Sequence, residues 1–390
     1  MSRPFLNRRQ LWLLIILLPG VILLLSLLGP LPGGQDLQIS EDRRLYQMRQ
    51  SREDYQLQLL LPLPAPDTAE RWLVNRLLPD VMKQRLSTPE AQQWLQQQQW
   101  QIISSNSDTE WQLLIQTSAP PDDGQLRTLL QHLTAPVDMD WTQRVNTSLA
   151  TRYLNLHTPD EAALAALQPG TFPRPWQVPP ASLLDEWVTS ERLLMTLQTP
   201  EFLPLTAPAV PDAKTGPATT VTATPLPSAD PAGQGVLHHW RWSAPADLEG
   251  LARTQLALAC VQEQLSLISQ GDFRLRWRAW HGFADLDLLL QQTALKPEQL
   301  LSCPDQDRYD QLRQQLAEYW EARLTADTST WLLLLARHRL PAETPDRLVS
   351  QLEQLQRSDI QQHLQRLAGS DTYRRLNFLP VTEDPHAPSQ

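Results

Sequence analysis

Cysteine is nearly missing from this chain. Its 390 residues hold only Cys260 and Cys303, with no C-x-x-C pair, which excludes a zinc knuckle and a redox motif of that spacing. In an exported protein the two could form one disulfide, or they could stay as two buried free thiols; the sequence leaves both open. Positive charge is also in short supply, with 33 Lys and Arg against 43 Asp and Glu and a formal charge of -10. No basic stripe interleaved with aromatics occurs, so nucleic acid is not an expected partner. There is no G-x-S-x-G, no Gly-rich phosphate loop and no Cys with a nearby His, hence no written nucleophile or nucleotide site. His157, His281, His338 and His363 stand alone. His238 and His239 are adjacent, on opposite faces of a strand, and cannot chelate together. No metal, cofactor or catalytic set is therefore expected.

What the chain has is apolar bulk: 41% hydrophobic residues and 14 Trp, enough to bury two or three cores at this length. Residues 11 to 28, LWLLIILLPGVILLLSLL, form an uncharged run of 18, long enough for a transmembrane helix. Arg3, Arg8 and Arg9 precede it, which places the N-terminus in the cytoplasm and the bulk of the chain on the periplasmic or extracytoplasmic side of a single-pass anchor. A cleaved signal peptide is the rival reading, against which stand the length of the run and the absence of an A-x-A-like site.

The expected organisation follows from composition. Residues 1–34 make the cytoplasmic stub and anchor, and 35–54 a charged spacer. Residues 55–203 form a first α+β domain, 204–233 an extended Pro-, Ala- and Thr-rich linker, 234–381 a second α+β domain, and 382–390 a polar tail. In the first domain, YQLQLLLP at 55–62 alternates and then runs apolar, as a strand entering a core does. Thr68 to Leu86 predicts a helix with Trp72, Leu73, Leu77, Val81 and Leu86 inward and Arg71, Arg76, Asp80, Lys83 and Arg85 wet, kinked or broken at Pro79. A helix over Pro89–Gln99 follows, then strands at 101–105 and 111–117, and helices at 122–133, 140–156, 160–167 and 182–197. An irregular Pro-rich crossing, PGTFPRPWQVPP, precedes the last of these.

The second domain repeats the plan. A strand at 236–243 leads into a long helix at 246–270 capped by Gly271, then strands at 273–280 and 284–291 around the turn His281-Gly282. Helices at 304–324, 329–339, 345–356 and 358–367 and a strand at 373–379 complete it. Asp285 and Asp287 share one strand face, which reads as a solvated edge.

This repeated plan resembles the pitrilysin/insulinase family of zinc metallopeptidases, which includes the mitochondrial processing peptidase and its non-catalytic subunit. The likeness lies in the strand and helix at 55–86 and in DTEWQLLIQTSAPPDDGQLRTLLQHL from Asp108. It continues in HTPDEAALAAL from His157 and FPRPWQVPPASLLDEWVTSERLLMTL from Phe172. The resemblance implies two α+β units of the metallopeptidase type folded round a cavity. Active members carry H-x-x-E-H on the first helix, two His on zinc and a Glu as base. With WLVNR laid on that motif, Trp72 and Arg76 stand at the ligand positions and Asn75 at that of the base, and no shift within Thr68 to Leu86 supplies a His. The later helix, TQRVNTSLATRYL, offers no carboxylate. Arg274, Arg276 and Arg278 lie near the family's substrate-gripping Arg, but no Tyr follows them.

The expectation is therefore a membrane-anchored, catalytically inactive peptidase-like protein that serves as a binding or scaffold subunit for a polypeptide or a partner peptidase. The alternatives are a hydrolase active only in complex with a metal-bearing partner and an envelope-assembly factor. On the sequence reading, Trp72 is buried while Asn75 and Arg76 are merely solvated.

Overall fold

The computed structural model describes residues 37–50, 53–155, 175–211, 219–224, 235–268, 273–280, 282–290, 295–326 and 328–378. The expected anchor at 11–28, the helix at 160–167, Gly271, His281 and the tail from 382 lie outside the described residues, as do parts of the linker. Among the described residues no helix is long and apolar enough to cross a membrane.

The first unit opens with β1 (Leu37–Ile39), β2 (Leu45–Arg49) and β3 (Tyr55–Pro62), then α1 (Ala69–Leu86) and α2 (Pro89–Gln97). The hairpin β4 (Gln101–Asn106) and β5 (Glu110–Thr117) and the helices α3 (Asp123–Thr134) and α4 (Trp141–Asn155) come next. β6 (Trp176–Val178), α5 (Pro180–Trp187), β7 (Leu194–Thr199) and β8 (Val221–Ala223) complete it. Six strands form one sheet in the order β1-β2-β7-β3-β5-β4, antiparallel except for β2 and β7, while β6 and β8 pair apart. Strand alternation sends Leu57, Leu59, Leu61, Trp111, Leu113 and Ile115 into a core shared with Trp72, Leu73, Leu77 and Val81 of α1. Thr68 caps α1 by accepting from the Arg71 amide, and an Asp122–Gln125 capping box starts α3.

Sequence expectation and structure part company in five places here. The spacer at 35–54 holds β1 and β2, strands of the main sheet, and Leu37 and Tyr46 from it are buried in the second unit's core. The helix expected over 182–197 stops at Trp187, and LMTLQT becomes β7, buried along its whole length between β2 and β3. A strand covered on both faces shows no alternation, so its apolar run reads equally well as helix. The Pro-rich crossing contains β6, and the linker supplies its partner β8, while Leu203, Leu205, Ala207 and Val210 pack on the first core. α1 runs through Pro79 without interruption, held by buried Leu77, Leu78, Val81 and Met82; packing outweighs the roughly 3 kcal/mol that proline costs a helix. Arg85, expected wet, is buried: its Nη1 donates to the Leu133 carbonyl at 2.8 Å and its Nη2 meets Asp185 at 3.1 Å. Burial lowers its pKa against the opposing pull of Asp185.

The second unit comprises β9 (Gly235–Ser243), α6 (Leu248–Ile268), β10 (Phe273–Ala279), β11 (Phe283–Leu290), α7 (Pro297–Leu300) and α8 (Gln306–Ala326). It ends with α9 (Thr328–His338), α10 (Thr344–Gln354), α11 (Arg357–Ala368) and β12 (Arg374–Phe378). Its antiparallel sheet runs β10-β11-β9-β12. Trp240, Trp242, Leu286 and Leu288 face a core with Leu256 and Cys260 of α6. Among the described residues of this unit, the short α7 is the one element absent from the sequence reading. Cys260 and Cys303 are free, buried thiols, so the structure has two thiols and not the bridge.

Candidate functional site: the cleft between the units

The two units meet along a cleft of about 590 Å³. Its first wall comes from the end of β3 with the loop after it and from Arg71, Glu110, Trp187 and Arg192. Its second wall comes from the β10–β11 turn with Trp280 and Phe283 and from Arg337 to Arg339 at the end of α9. Charged groups pin the walls to each other. Arg337 forks over Glu110, its Nε 2.8 Å from Oε2, and Arg276 pairs with Asp108 at the tip of the β4–β5 hairpin. Arg43 donates to the Arg339 carbonyl at 3.1 Å, and the Tyr46 hydroxyl to the Leu340 carbonyl at 3.2 Å. His338, beside the cleft, has its pKa lowered to about 4 by burial and then by Arg337, and its Nδ1 lies 3.2 Å from the Pro245 carbonyl.

The positions laid on the metal motif do not converge on this space as a ligand set. Trp72 is 3% exposed and belongs to the first core, with the Arg152 guanidinium 5.3 Å from its ring centre. Arg76 is exposed on the outer side of α1. Asn75 is not the solvated residue the sequence suggested: it is buried, and its Nδ2 donates to the carbonyls of Pro64 at 2.9 Å and Asp108 at 3.0 Å. It thereby ties two loops together, one leading into α1 and the other carrying the Asp108 that Arg276 grips. Among the described residues no group of three or more His, Cys, Asp or Glu is placed to hold a metal ion.

Asp285 and Asp287 also differ from the expected solvated edge. β11 lies inside its sheet, and both carboxylates are buried. Arg241 Nε lies 2.7 Å from Asp285, and His239 Nδ1 lies 2.7 Å from Asp287, whose other oxygen takes Arg278 Nη2 at 2.5 Å. Burial alone would raise the Asp287 pKa, but the His239 hydrogen bond and the Arg278 charge hold it below the ordinary value. His238 turns to the other face, against Tyr373 and Trp240. Arg276 and Arg278 are thus committed to carboxylates of the protein itself.

Sequence reasoning passed over Arg71, Trp187 and Arg192. Arg192 sat in the part of the expected helix that lies beyond its actual end at Trp187, and nothing local in either segment signals that residues 71 and 192 line one cleft. No protein-family model matches the chain, and no curated protein matches its sequence. In three dimensions it is similar to the inactive domain of an M16 peptidase from Pseudomonas fluorescens, at 12% identity over 88% of this chain and 97% of that one, with a TM-score of 0.56. It is also similar to an M16-like peptidase from Alicyclobacillus acidocaldarius, at 9% identity over 88% and 98%, with a TM-score of 0.51. The likeness is one of fold, the mixed α/β arrangement of M16 peptidase domains, and it bears out the resemblance to insulinase-like chains.

Proposed function

We propose that this chain is a catalytically inactive, M16-like subunit that holds an extended polypeptide, or the exposed segment of a partner peptidase, in the cleft between its two units. The observation that carries the reading is Asn75. It stands at the position that the family resemblance lays on the general base, and it is an amide, not a base, buried with both amide hydrogens on backbone carbonyls, so it cannot take a proton from a water. The similarity to a domain described as inactive supports the same conclusion. What remains is a space of about 590 Å³ with aromatic and cationic walls, the size and chemistry of a site for part of a polypeptide. Anchored by residues 11–28 with its bulk outside the cytoplasm, the protein would present that cleft to exported chains.

Two measurements test the proposal. The purified full chain should bind unstructured peptides with an affinity indifferent to chelator, and should not cleave them. Stoichiometric zinc retained through dialysis together with chelator-sensitive hydrolysis would replace this reading by an enzymatic one. For topology, a reporter active only in the cytoplasm and fused after Gln390 should be silent; an active fusion reverses the orientation.

A further inference from the structure

Two arginines in the cleft are not consumed by the contacts that join the units. Arg71 uses Nη1 on Asp67, at 3.0 Å, and Arg192 uses Nη1 on the carbonyls of Glu186 and Trp187, each at 3.2 Å. Nε and Nη2 of both donate to no group among the described residues. The Arg192 guanidinium lies 3.8 Å from the centre of the Trp187 ring, and Trp187 is itself fixed by donating from Nε1 to the Pro62 carbonyl at 2.7 Å. Stacking of this kind holds the fork in one plane at little further entropic cost. Both guanidinium groups line the same cleft, where burial and then the Arg71 charge lower the Arg192 pKa while the neighbouring Glu191 raises it. The other arginines of the cleft have partners of their own, Arg337 on Glu110, Arg44 on Asp42 and on the Ser190 and Pro208 carbonyls, and Arg339 on the Glu191 carbonyl. A further donor in the wall, the buried Nε1 of Trp280, also lacks an acceptor among the described residues.

Each of the two cations has one carboxylate of the chain near it, Asp67 for Arg71 and Glu191 for Arg192, and each keeps Nε and Nη2 for a further acceptor. In a chain whose formal charge is -10, this cleft is lined by Arg44, Arg71, Arg192, Arg337 and Arg339 against Asp42, Glu110 and Glu191, so its excess of cations runs against the charge of the whole and favours the opposite sign. We infer that Arg71 and Arg192 together grip a carboxylate of the bound polypeptide, with Trp187, Trp280 and Phe283 receiving the apolar part of the same residue or its neighbour. This rests on the polypeptide-binding reading above and narrows it to acidic segments. Forked guanidinium groups match a planar carboxylate by two parallel N–H donors, which a single lysine could not do. The carboxylate has two possible sources, acidic side chains or the free C-terminus of the bound chain.

The test uses the full chain in detergent micelles and a fluorescein-labelled extended peptide built from glycine, alanine and glutamate, followed by anisotropy. Three further peptides carry a C-terminal amide, glutamine for every glutamate, or both changes. The wild-type protein should bind the peptide with both kinds of carboxylate best. Loss on amidation assigns the grip to the C-terminus, and loss on glutamine replacement assigns it to side chains. Arg71→Gln with Arg192→Gln should weaken that binding about tenfold or more, as removal of charge-assisted hydrogen bonds does, and should flatten its salt dependence. Arg76→Gln, on the outer side of α1, should change nothing. Because Arg192 is half-buried, melting curves accompany each variant, and the half-exposed Arg71→Gln alone, expected to lose affinity by a smaller factor, carries the test should the double variant unfold. Equal binding of the charged peptide and the doubly neutralised one, or of the wild type and the folded variants, overturns the carboxylate grip while polypeptide binding stands. Failure of the wild type to bind any of the four peptides overturns both.

Discussion

The two sheets solve the same problem with opposite chemistry. Each covers one face with helices, and each has a second face to dispose of. In the first unit that second face carries Gln56, Gln58, Gln112, Gln116, Thr196 and Gln198 with Leu60 and Leu194, placed by the β3, β5 and β7 registers. These are neutral groups, half-buried or buried, and Thr196 and Gln58 hydrogen-bond each other at 3.3 Å; the one carboxylate of β5 on this face, Glu110, sits at its cleft end and is paired with Arg337 of the second unit. The second unit places charge there: Arg241 with Asp285, and His239 and Arg278 with Asp287. A neutral amide can lose a partner and turn to water. A buried carboxylate that loses one is left as an uncompensated charge, so the second sheet is specified more sharply and is more fragile.

That contrast orders the effects of substitution. Asp287→Ala strands His239 and Arg278 and should cost about 3–5 kcal/mol of unfolding free energy, measured by urea titration; a loss below about 1 kcal/mol would show the network to be solvated and end the comparison. Asn75→Ala comes next, at about 1–3 kcal/mol, because two buried carbonyls lose their donor. It should also loosen the hairpin that holds Asp108 to Arg276, read as faster amide exchange at residues 107–110. Gln58→Ala on the neutral face should cost only about 0.5–1.5 kcal/mol, and a larger value would mean that the glutamine wall is as tightly specified as the charged one.

Acid acts on both units, since burial lowers the pKa of His132 in the first as well, but it acts on more groups in the second. His238, His338 and His363, all in the second unit, have their pKa lowered to about 4, burial being the first cause in each case. In the unfolded chain they titrate near 6.5. Between these values the unfolded state binds more protons, so their contribution to stability is full above pH 6.5 and is lost as pH falls towards 4. The melting temperature should decline across that window, and less steeply in His238→Gln; identical slopes would mean that His238 is solvated in the folded state.

Where the sequence was legible, a single face met a single core. YQLQLLLP, EWQLLIQT and the helices with capping residues carry their period openly, and Trp72 was identifiable as core because it is the largest apolar group on an amphipathic stretch. The elements that escaped are those with two masters. β7 is covered on both faces and shows no alternation. β2, inside the charged run RRLYQMR, divides its side chains between two cores, Leu45 to the first and Tyr46 to the second. Asn75 looked solvated because nothing near it in sequence announces the Pro64 and Asp108 carbonyls. The cleft itself was implied only by family resemblance; its cationic pair is separated by more than a hundred residues and has no local signature.

The double allegiance of the β1–β2 hairpin bears on whether this protein can be divided at all. Its backbone belongs to the first sheet, but Tyr46 is completely buried in the second unit's core, with its hydroxyl on Leu340. Residues 235–378 produced alone would therefore lack a piece of their own interior, supplied from almost two hundred residues upstream, and would expose an apolar socket shaped for a tyrosine. The halves are alike in plan without being modules in the genetic sense. A cut or fusion that respects the apparent boundary between them still separates Tyr46 from its socket, and only a chain that begins before β1 can close both cores.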